Sequence, residues 1–311
     1  MRRKIVNADC RTIVKMKKYK YAYLLMLPAM VLVFLFSYVP MTGIIIAFKD
    51  FDIIEGIWGS SWVGLEHFKE IFTYPDMLNA IKNTLFCGVM IVFGGFPFPI
   101  ILALLFNELN NIKFKKTVQT IAYMPNFLSW ISVIGLVYAF FANEGAVNQL
   151  MAKIAGEGYE YKNILMDSKY FWQIIFLSHL WKNVGWSSIV FIAAIAGIDT
   201  TLYEAAEVDG CGKFKQALHI TLPSIRGTII VVLLMSLGTI VNTSFEQVYG
   251  FQNVFTQEDT EVINTLIYRQ GIQNGKYSLA TAFGLAQGIV SITLLIAANT
   301  VCKKVCDTSI W

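Results

Sequence analysis

The sequence predicts an all-α integral membrane protein with six transmembrane helices, and two observations carry that class. Of 311 residues, 56% are hydrophobic and only 15% charged, where soluble chains carry about a quarter. The apolar residues also fall in blocks rather than in periodic stripes, and a block of about 20 is the mark of a spanning helix. A third observation, the placement of Lys and Arg, orients the helices.

The first block runs from Tyr21 to Phe48 and contains Pro28 and Pro40. The second, Thr84 to Phe106, is interrupted by Gly94-Gly95-Phe96-Pro97-Phe98-Pro99. Membranes tolerate such interruptions where neighbouring helices or a cavity satisfy the freed backbone. The third block covers Val118 to Ala142, the fourth Tyr170 to Ile198, the fifth Thr228 to Phe245 and the sixth Ser278 to Val301. On this reading residues 1–20 form a basic N-terminus, 21–48 the first helix and 49–83 an extracellular segment. Residues 84–301 form a five-helix core and 302–311 the C-terminal segment.

Lys and Arg cluster on the cytoplasmic ends of membrane helices. Eight lie in the first 20 residues, three at 107–116, three at 199–227 and two beyond residue 302, whereas the other face has eight in all. Both termini and the 199–227 loop are therefore expected in the cytoplasm, and the net charge of +4 reflects that bias rather than nucleic-acid binding. The basic run followed by an apolar block resembles a secretory signal, but the block is too long and lacks a small-residue cleavage site. It reads as a retained helix. Cys10, Cys211, Cys302 and Cys306 fall on the predicted cytoplasmic side and Cys87 inside the second block, a pattern unlike a disulfide framework or a metal site.

Catalytic signatures are missing from the sequence. The three histidines, His67, His179 and His219, lie on three different segments. No phosphate-binding G-x-x-x-x-G-K-[ST] loop, nucleophile elbow, paired-His metal motif or dinucleotide fingerprint appears. The polar stretch from Thr201 to Pro223, TLYEAAEVDGCGKFKQALHITLP, stands out instead, because it cannot sit in lipid. Thr201 to Glu204 fits a capping box, and Gly210 fits the left-handed residue that ends a helix. A second helix is expected from Lys213 to Leu222, with Phe214, Ala217, Leu218 and Thr221 along one side and Pro223 stopping it. Small Ala205 and Ala206 would let another protein approach closely. On residue physics alone the stretch reads equally as a docking element or as an amphipathic linker on the membrane surface.

The spacing Glu204-Ala205-Ala206, Gly210, Ile220, Leu222-Pro223, with Asp209 before the glycine, resembles the EAA loop of permeases from binding-protein-dependent ABC importers. Trp62-Val63-Gly64-Leu65-Glu66-His67-Phe68 is similar to a segment of the sugar permeases, with His67 replacing their common Asn. Ser244-Phe245-Glu246-Gln247 and Gly275 to Ala282 are similar to the branch that takes up oligosaccharides or polysaccharide fragments. The resemblance implies a type I ABC importer transmembrane domain in a bacterial cell membrane. It also implies a second permease, two cytoplasmic ATPase subunits and an extracellular solute-binding lipoprotein as partners. The EAA loop would be the coupling helix, docked on an ATPase that binds ATP and Mg. This chain would carry neither cofactor nor metal and would not itself be an enzyme.

Polar residues inside spans are costly and default to function or helix contacts. Trp181, Lys182 and Trp186 in the fourth block, Asn242 and Glu246 at the end of the fifth, and Gln287 in the sixth are therefore candidates for the substrate pathway, with Asn183 and Gln247 part of the same polar set. Asn126 and Trp130 in the third are weaker ones. Aromatic faces suit sugar rings, and amides and carboxylates suit their hydroxyls. Equally, Lys182 and Glu246 could pair structurally, and Trp181 and Trp186 could be interface residues. Alternatives are a permease of the same type for a non-sugar solute, or an ion-coupled carrier. The carrier would need an internal repeat or several intramembrane carboxylates, and Glu246 is the one carboxylate near a span.

Overall fold

Inside lipid a backbone must satisfy its own hydrogen bonds, and a helix does so within one segment. The apolar blocks fold accordingly. The computed structural model describes residues 18–156 and 159–306; the basic run from Arg2 to Lys17, with Cys10, lies outside them. The first helix, α1 (Lys20–Phe48), leads into a short hairpin of β1 (Lys49–Asp50) and β2 (Ser61–Trp62). Next come α2 (Glu66–Thr73), α3 (Met77–Asn107), α4 (Ile112–Tyr123), α5 (Trp130–Phe141) and α6 (Ala146–Ala155). The long α7 (Ser168–Ala196) is followed by α8 (Thr200–Val208), α9 (Lys213–Ser224) and α10 (Arg226–Leu237). The chain closes with α11 (Phe245–Phe251), α12 (Ile263–Tyr268) and α13 (Tyr277–Cys306).

Among the described residues, four stretches are long and apolar enough to cross a membrane: α1, α3, the α5–α6 stretch and α13. Two bent pairs raise the number to six, α7 with α8 (74°) and α9 with α10 (66°). Several boundaries differ from expectation. The second span starts at Met77 rather than Thr84, and its Gly-Pro interruption is absorbed by a π-turn at Met90–Gly94. Pro125 and the Ser129 cap split the third block into α4, a 3-10 turn and α5. The fifth block is not one helix either: α10 ends at Leu237, and residues 238–244 are unwound before Ser244 caps α11 by accepting from Gln247 N.

Packing runs in three tiers along the bundle. At the hairpin end, Ala47, Ile71, Met77, Leu266 and Phe283 form one buried cluster. Cys87, Phe171, Ile175, Val248 and Phe251 form the middle one, and Ala103, Phe191, Ile195 and Ile225 the one nearest α8 and α9. The hairpin end is tied by polar contacts: Arg269 bridges Asp76 and Glu261, and Asn83 Nδ2 donates to the carbonyls of Asp259 (2.9 Å) and Glu261 (3.0 Å). Burial pushes the Glu261 carboxyl above its ordinary range, with the Arg269 guanidinium opposing. His67 Nε2 pairs with the Lys49 carbonyl at 3.1 Å, so the residue standing where similar segments carry Asn pins the hairpin. By contrast, α1 is exposed along nearly its whole length.

Two glycines mark the closest backbone crossings. A Cβ on Gly88 of α3 would collide with the Ile240 carbonyl, and one on Gly185 of α7 with that of Ala122. Neither neighbour can rotate away. Gly88→Ala and Gly185→Ala should each cost about 1–3 kcal/mol of overpacking and lower the thermal unfolding midpoint of the purified protein. Gly284→Ala, whose added Cβ meets nothing within 4 Å, should leave the midpoint unchanged.

Candidate functional site

Two regions gather the polar residues. The first is the α8–α9 loop. Its N-cap is Asp199, not Thr201: the Asp199 carboxylate accepts from Thr201 N at 3.0 Å, and hydrogen bonds from Thr201 hold that carboxyl below its ordinary range. Thr200 and Thr201 lie already inside the helix, so the capping box expected between Thr201 and Glu204 does not form. Gly210 has φ +74°, Gly210 N donates to Glu207 O, and Cys211 N donates to Ala206 O at 2.8 Å. This is the paired-bond ending that a left-handed glycine permits. Pro223 does not stop α9, because a π-turn at Ala217–Thr221 widens the helix ahead of it and α9 continues to Ser224. Such turns accommodate a residue lacking its amide donor.

The corner at Gly210 is braced rather than free. Tyr203 OH and Thr221 Oγ1 are 2.9 Å apart, Lys213 Nζ meets Glu207 Oε1 at 2.8 Å, and Gln216 Nε2 donates to Cys211 O at 3.0 Å. Glu204, Ala205, Asp209 and Pro223 are exposed, and Ala206, Ile220 and Leu222 are half-buried. Val208 and Phe214 are 88% and 83% exposed. Of the side expected along α9, only Thr221 is buried; Phe214 and Leu218 face outward. The capped, braced corner thus holds apolar side chains outward.

The second region is a cavity of about 710 Å³ between α3, α7, α10 and the unwound residues 238–244. Asn242 and Glu246, both candidates on sequence, line it, and so do His179, Asn183, Ser187, Thr239, Thr243, Phe245 and Asn264. Asn183 is among the polar residues read from the fourth block; the other six are not candidates on sequence. His179 and Asn183 share one face of α7 by their four-residue spacing, a signal that was available. The role of Asn264 depends on tertiary placement alone.

The other candidates do not line this cavity, and three of them, Lys182, Asn126 and Gln287, hydrogen-bond to elements around it. Lys182 is 7% exposed, and its Nζ donates to the carbonyl oxygens of Asn126 (2.7 Å) and Leu128 (2.6 Å) at the break between α4 and α5. The ammonium also lies 5.5 Å from the centre of the Trp130 ring. Carbonyl dipoles and an aromatic face thus hold this buried charge, and Glu246 is not its partner. Asn126 Nδ2 donates to Asn183 Oδ1 at 3.3 Å. Gln287 Nε2 donates to the Val241 carbonyl in the unwound stretch. Trp181 lines a separate apolar groove on the α5–α7 face, and Trp186 packs edge-on against Phe127.

Residues 77–303 match the family described as binding-protein-dependent transport system inner membrane component. The chain belongs to that family. It is 40% identical to protein LplB of Bacillus subtilis (strain 168) over 290 residues, covering 93% of this chain and 90% of LplB. It is 39% identical to the polygalacturonan/rhamnogalacturonan transport system permease protein YteP of the same organism, covering 97% and 93%. Among solved structures, it superposes on a chain of a bacterial ABC transporter that imports the acidic polysaccharide alginate. There the TM-score is 0.84 and the identity 36%, over 95% of this chain and 99% of that one. A second structure of the alginate transporter, in complex with its alginate pentasaccharide-bound periplasmic protein, matches at TM-score 0.83 and 35% identity, covering 95% and 98%. The protein is thus a multi-pass membrane permease of the ABC importer type.

Within this permease the Lys182 brace should be structural. Lys182→Met leaves two buried carbonyls unpaired, at about 1–3 kcal/mol each, and should depress the thermal midpoint in detergent strongly. Glu246→Gln, at a solvated cavity wall, should leave the midpoint where it is.

Proposed function

We propose that this permease conducts a carbohydrate, an oligosaccharide or polysaccharide fragment, delivered by an extracellular solute-binding protein and driven by separate ATPase subunits. The cavity carries the reading: amide and carboxylate groups of Asn183, Asn242, Glu246 and Asn264 line it together with the Phe245 ring. Amides and carboxylates take sugar hydroxyls, and rings take the C–H faces of sugars. The relative named for polygalacturonan/rhamnogalacturonan transport and the alginate importer support the same substrate class.

In this reading the termini and the α8–α9 loop face the cytoplasm, and the hairpin end faces the binding protein. The Lys and Arg distribution supports that orientation. The loop residues Glu204, Ala205, Ala206, Asp209, Gly210, Ile220, Leu222 and Pro223 form the coupling element, with exposed Val208 and Phe214 entering a cleft of an ATPase that binds ATP and Mg. The exposed α1 packs on a second permease. Closure of the ATPases on nucleotide pushes the braced corner, and the push switches the cavity from inward to outward access.

Phe214→Glu should abolish copurification of the ATPase subunits while the permease still inserts, and retained copurification would refute docking through this face. Glu246→Ala and Asn242→Ala should reduce sugar-stimulated ATP hydrolysis by roughly tenfold, the loss of about 1.4 kcal/mol of binding, with the assembled complex intact. Unchanged stimulation would remove both residues from the pathway.

A further inference from the structure

A polar cavity sorts its cargo by the charges and hydrogen-bonding capacities that its wall leaves open. On this wall several donors are already engaged. Ser236 Oγ donates to the Val232 carbonyl (2.9 Å), and Thr239 Oγ1 to that of Ser236 (2.7 Å). Asn183 Nδ2 donates to the His179 carbonyl at 3.0 Å. Asn264 Nδ2 donates to the Thr243 carbonyl (2.5 Å) and to Asn242 Oδ1 (3.3 Å). The strongest acceptor, by contrast, is left open. Glu246 lines the cavity and is exposed, and among the described residues it forms no ion pair.

Charge points the same way. Among the described residues that line the cavity, Glu246 is the one Asp, Glu, Lys or Arg. Lys182, the buried cation of α7, is committed to the carbonyls of Asn126 and Leu128 and to the Trp130 ring. An unbalanced carboxylate gives the cavity a negative potential, which low-dielectric walls focus.

Sugars differ in just these respects. A hydroxyl donates as well as accepts, so a neutral sugar can give the Glu246 carboxylate a charge-assisted hydrogen bond. A uronate carboxylate only accepts. Against this wall it meets a like charge, while the donors named above are held by protein acceptors. Like-charge juxtaposition is a general device for rejecting a wrong partner.

We propose that Glu246 is a specificity-determining residue, which makes this cavity favour neutral oligosaccharides over uronate-bearing ones of equal length. The proposal deepens the carbohydrate reading above and rests on it. The alginate importer carries an acidic polysaccharide, and this chain parts from it in the charge of the cargo.

The test uses the complete transporter in nanodiscs, with both permeases and the ATPases. The second permease must be present, because a cation from its wall would cancel the field, and that result would count against the proposal. Thr239→Cys places a reporter thiol on the cavity wall, and only the labelling added by this substitution is followed. A cationic thiol reagent should modify it about tenfold faster than an anionic one of equal size. Adding Glu246→Gln should bring the two rates within about twofold, whereas Glu246→Asp should keep the bias. Protection against a neutral thiol reagent then reads the cargo without the binding protein. Xylotetraose and mannotetraose should slow labelling with or without Glu246→Gln. Tetragalacturonate should need about tenfold more than the neutral chains unless Glu246→Gln is present. Equal rates for the two charged reagents in the Glu246 background would overturn the proposal. So would tetragalacturonate protection there at the concentration of the neutral chains, or a Glu246→Gln change that moved neither ratio. Protection by no tetrasaccharide in any background would instead refute the carbohydrate reading beneath it.

Discussion

The architecture depends on one constraint, that backbone groups freed inside an apolar bundle must find partners in the protein. Lipid offers none, and each orphan costs free energy on the scale of a lost hydrogen bond or more. The chain leaves α-helical geometry between packed helices at residues 124–129 and again at residues 238–244. Each time a long polar side chain from a neighbouring helix takes up the loose carbonyls. Lys182 of α7 reaches Asn126 and Leu128. Gln287 of α13 and Asn264 of α12 reach Val241 and Thr243. These residues are polar and intramembrane, the pattern that by default signals function, yet their amide and ammonium groups hold backbone.

The breaks in turn create the cavity. A continuous tenth helix would carry its side chains around a closed cylinder. The unwound stretch instead exposes Thr239, Asn242 and Thr243 along one wall. It can approach α3 closely only because Gly88 has no side chain to meet Ile240. Non-helical backbone at this depth is permitted where it lines such a cavity. The same economy of side-chain bulk at Gly185 lets α7 touch the end of α4 at Ala122. Lys182, three residues earlier, can then reach the break beyond it.

This explains what could be read in the sequence and what could not. Spanning blocks and the glycine ending of α8 are local properties, and the apolar runs and Gly210 displayed them. Asn242 and Glu246 were legible because polar groups at the end of a span are conspicuous. Lys182 and Gln287 were equally conspicuous for the opposite reason, and composition cannot separate a bracing amide from a binding one. Only the partner atom does that, and it lies 54 to 56 residues away in the chain for Lys182 and 46 for Gln287. The unwinding at 238–244 was hidden because Val241 and the block before it remain apolar. The cap at Asp199 was missed through a two-residue offset, since Thr201 is an equally good cap by type and Asp199 wins by position.

Loop and cavity are also mechanically joined. α7 carries His179, Asn183 and Ser187 on the cavity wall and ends, after a 74° bend, in α8. From α9 the chain turns by 66° into α10, whose far end is the unwound wall itself. Both walls therefore lead to the same corner. Two side-chain links cross that corner, Tyr203–Thr221 and Glu207–Lys213, and Gln216 ties Cys211, just past the glycine, to α9. A glycine turn without them would absorb a displacement in its own torsions. With them, the torsions at Gly210 are held, so that α8 and α9 keep a fixed angle between the two cavity walls. Gly210 thus sets the angle of the corner, while these links give it the stiffness that a shear or hinge transition requires.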